Sequence, residues 1–99
     1  MEKKQYRSSN MIIQNILEAI LREKKKNPVK NKGIKKSHLI SYCNLKTYTA
    51  EKYLIKMTNA GYIEHNEESW GERIINIYNI TKLGRERYEW FVKINTEIS

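Results

Sequence analysis

The stretch that decides the fold runs from Ile34 to Ile63, IKKSHLISYCNLKTYTAEKYLIKMTNAGYI. Its apolar spacing describes two short helices meeting at a tight turn. Leu39, Ile40 and Cys43 give the first helix a buried side, Asn44 and Leu45 make the turn, and Thr47 opens a second helix whose Ala50, Tyr53, Leu54 and Met57 share one face. Tyr48, Thr49, Lys52 and Lys56 are left on the outer side. A helix with a packed back and a polar, cationic front, placed directly after a short turn, is the arrangement by which a helix-turn-helix protein reaches base edges in the major groove. The spacing assigns that recognition helix to residues 47–60.

Upstream, Ser8, Ser9 and Asn10 can each cap a first helix that continues to Lys24 or Lys25. Its Ile12, Ile13, Ile16, Leu17, Ile20 and Leu21 cover about half the circumference at ~100° per residue, so part of this side is expected to meet another subunit. KKNPVKNKG, from Lys25 to Gly33, reads as a mobile basic loop. Downstream, Gly61 supplies the left-handed residue that ends the helix. Tyr62 to His65 and Ile74 to Ile80 are β-prone runs that should pair as a hairpin, with the intervening NEESWGER as the extended tip of a wing rather than a two-residue turn. Thr81 then caps a final helix whose Arg85, Tyr88, Phe91, Val92 and Ile94 or Ile98 form a second amphipathic stripe. The order helix, helix, helix, hairpin, helix is mainly α with a small β-hairpin: a winged helix-turn-helix with an additional C-terminal helix. The expected divisions are a flexible basic N-terminus at 1–9, a winged helix-turn-helix domain at 10–81 and a dimerisation helix at 82–99.

Four segments carry a resemblance to a known family: IIQNILEAI in the first helix, KSHLISYCNL through the turn, TAEKYLIKMTNAGYIE into the first wing strand, and YNITKLGRERYE entering the last helix. In this order and spacing, over residues 11–91, the chain resembles archaeal winged-helix DNA-binding proteins of the small basic type that dimerise through a C-terminal antiparallel helix. The resemblance implies double-stranded DNA binding as a homodimer, at operators or broadly along a chromosome, and no enzymatic activity. The last helix ends by Ser99, which leaves little length for a coiled coil and favours a compact dimer.

Charge points the same way. Among 99 residues, 19 Lys and Arg oppose 11 acids, all of them Glu, for a net charge of +8. Residues 1–60 hold 14 basic and 4 acidic side chains and residues 61–99 hold 5 and 7, so a phosphate-facing surface belongs to the first half. The wing is the exception: Glu64, Glu67, Glu68 and Glu72 stand against Arg73 alone and would be repelled by phosphate. The single cysteine, Cys43, is placed as a small buried hydrophobe, which fits a reducing cytosol. Lys3, Lys4 and Arg7 before the run from Met11 to Leu21 imitate a secretory signal, but Gln14, Asn15 and Glu18 interrupt that run, and no membrane span is expected. The expected location is the cytoplasm, in association with the nucleoid.

The expected groove contacts are Thr47, Tyr48, Thr49 and Lys52, with Lys56 further along and better placed for a phosphate. The bland alternative is an ordinary solvated helix face. Lys35, Lys36 and Ser37, at the start of the preceding helix, are candidates for a phosphate clamp because free amides and the helix dipole attract an anion there. Arg73 is the wing's candidate. Tyr88, Phe91, Ile94 and Ile98 are assigned to dimerisation, with Trp90 at the seam or in the core beneath it; Trp90 and Phe91 lie about 100° apart and cannot face the same neighbour.

His38, His65 and Cys43 match no metal-ligand spacing. With no Asp, no glycine-rich phosphate loop and no nucleophile beside a base, the sequence supplies no catalytic site. No cofactor and no small-molecule ligand is inferred. Two further readings are an architectural DNA binder of low specificity, suggested by the basic first half, and a protein-protein interaction module, suggested by the acidic wing.

Overall fold

Of the three candidate caps, Ser8 begins the first helix. Its Oγ accepts a hydrogen bond from the Met11 amide at 3.1 Å, filling one of the free donors of the first turn. In the computed structural model, which describes residues 8–26 and 33–98, this helix is α1 (Ser9–Lys26), followed by β1 (Ile34–Lys35), α2 (Lys36–Cys43), α3 (Thr47–Asn59), β2 (Ile63–Trp70), β3 (Arg73–Ile80) and α4 (Lys82–Ile98). Most of the basic N-terminus, the lysine-rich loop over 27–32 and the side chain of Ile98 lie outside the described residues.

The wide apolar side of α1 has an explanation within the chain. Ile12, Ile16, Leu17, Ala19 and Ile20 are buried, Ile13 and Leu21 pack against the same core, and α1 touches α2, α3, α4, β1 and β3. A helix surrounded on several sides needs an apolar surface wider than one stripe. The width therefore reflects a central helix, and the expected subunit contact on this side is not needed to account for it.

The sheet corrects two expectations. It has three strands in the order β1-β3-β2, all antiparallel, because Ile34 and Lys35 pair with Tyr78 and Ile77 before the chain enters α2. Lys35 thus belongs to a strand and stands as the extended residue before α2, not within the helix. The hairpin ladder also runs unbroken from Ile63↔Ile80 to Trp70↔Arg73. Gly71 and Glu72 alone form the loop, with Gly71 at φ 66, the left-handed first position of a tight hairpin turn. The expected long tip is paired strand. Past Ile63 almost every residue of β2 is exposed on both faces, so the alternation that marks a half-buried strand is missing there.

The last helix is fixed at its start by two residues. Thr81 Oγ1 accepts from the Gly84 amide at 3.0 Å and lies within reach of the carbonyls of Gly61 and Tyr62, to either of which it can donate. Gly84 lies so close to the Tyr62 carbonyl that no side chain fits. Further along, α4 lies against α1, where Tyr88 donates to Glu18 Oε2 at 3.3 Å and Asn95 donates to Gln14 Oε1 at 2.8 Å. The same Glu18 carboxylate accepts from Tyr42 of α2 at 3.2 Å and pairs with Arg22 at 3.3 Å, joining three helices at one group. No helix among the described residues is long and apolar enough to cross a membrane.

Candidate nucleic-acid interface

The turn between α2 and α3 depends on Asn44, which adopts φ 51 and ψ 49. Asparagine tolerates this left-handed conformation better than most residues. The Asn44 and Leu45 amides donate to the Ser41 and Ile40 carbonyls at 3.1 and 3.2 Å, closing α2. Lys46 is extended, and α3 starts at Thr47. Ala50, Tyr53, Leu54 and Met57 seat α3 in the core, and Tyr53 Oη lies 2.7 Å from Ser9 Oγ, fastening one flank of the helix to the start of α1.

The opposite side is open. Thr47, Tyr48, Lys52 and Lys56 are exposed, Tyr48 at 74 %, and Thr49 is half-buried. Lys52 and Lys56 both lean to the Tyr53 flank, each with Nζ 5.7 Å from the centre of that ring. Both side chains stay exposed, with each ammonium within cation–π reach of the ring.

On the other flank, Lys36 Nζ lies 3.4 Å from Glu51 Oε1 of α3, a surface pair worth at most about 1 kcal/mol. Lys35 Nζ sits 4.0 Å over the ring of Trp70, whose indole N–H donates to Glu68 Oε1 at 2.7 Å. Ser37 is exposed beside two shallow hollows of about 550 and 320 Å³, both of which Lys35 and Trp70 also line. Arg73 is exposed at the end of the hairpin, opposite Trp70.

Between α3 and the hairpin lies a cleft of about 300 Å³, with Leu54, Ile55 and Asn59 on the helix and His65, Asn76 and Tyr78 on the sheet. His65 stacks on Tyr78 with ring centres 4.8 Å apart, and its Nε2 lies 2.7 Å from Asn76 Oδ1. Burial, reinforced by the Glu51 carboxylate, holds the Tyr78 hydroxyl above the ordinary tyrosine pKa, so it remains a neutral donor.

No family model matches the chain, and no curated protein matches its sequence. Solved structures do match. The zinc-responsive MarR family member ZitR of Lactococcus lactis superposes with a TM-score of 0.64 at 11 % identity, over 97 % of this chain and 58 % of its own. Sso10a-2, a DNA-binding protein from Sulfolobus solfataricus, superposes with a TM-score of 0.62 at 22 % identity, over 93 % and 85 %. The present chain thus spans little more than half the length of the first. The fold is a winged helix.

Within this winged helix the expected site residues fall into separate groups. Thr47 and Tyr48 share the open front of α3 with Lys52, whose ammonium, like that of Lys56, leans to the Tyr53 flank where Thr49 also lies, and Lys35, Lys36 and Ser37 gather where α2 meets the wing. Sequence reasoning missed Ile55, Asn59 and Glu51 on α3, and the place of Trp70 beside Lys35. Helical spacing alone identifies the first two, because Tyr48, Lys52, Ile55 and Asn59 stand at i, i+4, i+7 and i+11, opposite the core. Charge alone favours Lys56 instead. Of the dimerisation set, Tyr88 is turned to Glu18, and Phe91 and Ile94 are half-buried. Trp90 is 54 % exposed and meets Phe91 edge to face. Among the described residues, no three His, Cys or Glu side chains converge on a point that a metal ion would occupy.

Proposed function

We propose that the chain is a transcription regulator that binds double-stranded DNA as a homodimer, with α3 entering the major groove. The observation that carries this reading is the build of α3: a fully packed back, a solvent-facing front, and a start directly after a tight turn. The likeness in fold to a MarR family member and to a DNA-binding protein of Sulfolobus supports it, and so does the charge of +8. The likeness to the Sulfolobus protein also supports the finer kinship with small basic archaeal winged helices that dimerise through the last helix.

In this reading Thr47, Tyr48 and Lys52 meet base edges. Thr49, Lys56, Lys35, Lys36 and Ser37 hold phosphates, and Arg73 reaches the backbone from the wing. Residues 10–81 form the DNA-binding unit. The 82–99 helix joins the subunits through Phe91, Ile94 and Ile98, with Tyr88 at the edge of the seam. The protein works in the cytoplasm, on the nucleoid.

The test is selection of bound sequences from random duplexes at two salt concentrations, followed by titration of two variants. Lys52→Ala is expected to weaken binding and relax sequence preference. Lys36→Ala is expected to weaken binding to all sequences alike and to lower the salt slope by about one, since it neutralises one phosphate fewer. Lys36 must leave Glu51 to reach a phosphate, but that pair costs too little to prevent it. Uniform loss in both variants would remove base readout and leave a binder of low specificity. The acidic hairpin favours a second reading, the docking of a basic protein partner, and failure to bind any duplex at low salt would put it first.

A further inference from the structure

The outward line of α3 is not uniformly polar. Opposite the buried Ala50, Tyr53, Leu54 and Met57, its third member, Ile55, is 62 % exposed. A single exposed isoleucine on a protein surface is ordinary, but the position of this one is not. It lies one turn beyond Lys52 in the line that begins at Tyr48, and it forms the lip of the cleft whose apolar wall continues inward through Leu54 and Tyr78. Lys52 and Lys56 beside it provide the positive charge that draws a phosphate backbone close.

An aliphatic side chain pressed against base edges has no hydrogen bonds to give or accept. Against the acceptors of guanine or the amino groups of cytosine and adenine it would displace water without replacing its bonds. One major-groove group suits it, the C5-methyl of thymine. Resting on the reading of α3 as the helix that enters the groove, we infer that Ile55 reads thymine methyl groups and that the duplexes this protein prefers carry A·T pairs in register with it. Tyr48 and Lys52 fix the approach of the helix, and Ile55 supplies a contact that discriminates through burial alone.

The experiment uses the full chain and the duplexes recovered by the selection above, amplified once with thymidine triphosphate and once with deoxyuridine triphosphate. The two pools share sequence, phosphates and pairing and differ in the C5-methyl. Burying one methyl corresponds to about fourfold in affinity, so the uracil pool is expected to bind about fourfold more weakly for each methyl that Ile55 covers, with an unchanged salt slope. Ile55→Ala is expected to lose the part of that preference that comes from the side chain, binding the thymine pool close to the level of the wild type on uracil. Any change in duplex shape caused by the missing methyls would persist in that variant, so the double comparison isolates the side chain.

Equal binding of the wild type to both pools would overturn the inference while leaving DNA binding intact. So would a variant that distinguishes the pools as strongly as the wild type, since duplex shape or another side chain would then account for the whole difference. Binding to neither pool at low salt would remove the DNA reading itself, and the inference with it. The wild-type comparison needs no variant, and Ile55 lies outside the core, so a folding defect does not blur the outcome.

Discussion

A methyl group added at Gly84 would run into the Tyr62 carbonyl and crowd the side chain of Ile80. The carbonyl belongs to backbone held by Thr81, so it cannot retreat cheaply. Gly84→Ala is therefore expected to cost about 1–3 kcal/mol by overpacking, seen as a lower melting temperature in circular dichroism. Tyr88 makes a different kind of junction. Burial first, and then the Glu18 charge and hydrogen bond, raise its pKa above the ordinary 10.0. A raised pKa stabilises the fold while the pH is below the unfolded value, and that contribution is lost as pH climbs through the folded value. Tyr88→Phe is thus expected to lose about 1 kcal/mol at neutral pH. Its melting temperature is also expected to fall less steeply than the wild type's above roughly pH 10. Tyr42 and Tyr78 shift the same way and add to that slope. An identical alkaline slope in the variant would show that Tyr88 is not coupled to folding.

At the scale of elements, the wing depends on a turn of two residues. Gly71 at φ 66 occupies the position that a β-branched side chain tolerates worst. Gly71→Val is expected to weaken the hairpin end by about 1–2 kcal/mol, read as faster amide exchange near the tip of β2 and β3 with the amides of α1 unchanged. Equal acceleration in α1 would mean that the hairpin unfolds only with the whole domain. This turn was barely legible in the sequence, for a physical reason. Asn66, Glu67, Glu68 and Ser69 form strand without burying a face, so the usual alternation never appears, and Gly71 alone marks the reversal. β1 was hidden too, because two residues are too few to carry a period. The helices were legible because each buries a face: α3 through Ala50, Tyr53, Leu54 and Met57, and α1 through a side broad enough to serve several neighbours. Thr81 was legible as a cap, whereas Gly84 stood out only within the segment YNITKLGRERYE that carries the resemblance; in the structure one caps α4 and the other permits its close approach to Tyr62. In the candidate site, polarity leads to Lys52 and Lys56, whereas Ile55 requires weighing position above charge.

For the molecule as a whole, the question is how one small domain, 47 Å along its longest axis, would achieve the proposed binding with a single α3. Two copies related by a two-fold axis would place two such helices about 34 Å apart on successive turns of the groove. The second binding event then becomes intramolecular, and overall affinity rises without any new kind of contact. The proposed seam has an unequal build. Tyr88 and Asn95 commit one side of α4 to α1, so the proposed seam extends from the half-buried Phe91 and Ile94 to Trp90, the largest exposed apolar group of the helix. A tryptophan left this exposed has substantial apolar area to bury, whereas a carboxylate in its place would resist burial. Trp90→Glu is accordingly expected to sediment as a monomer where the wild type sediments as a dimer, and to bind duplex DNA more than about tenfold more weakly because bivalency disappears. Its helical circular dichroism should be unchanged, because Trp90 lies outside the buried core. A wild type that is monomeric at micromolar concentration would remove the dimer, and a variant that stays dimeric would move the seam away from Trp90. Weaker DNA binding in a variant that remains dimeric would instead place Trp90 on the duplex itself.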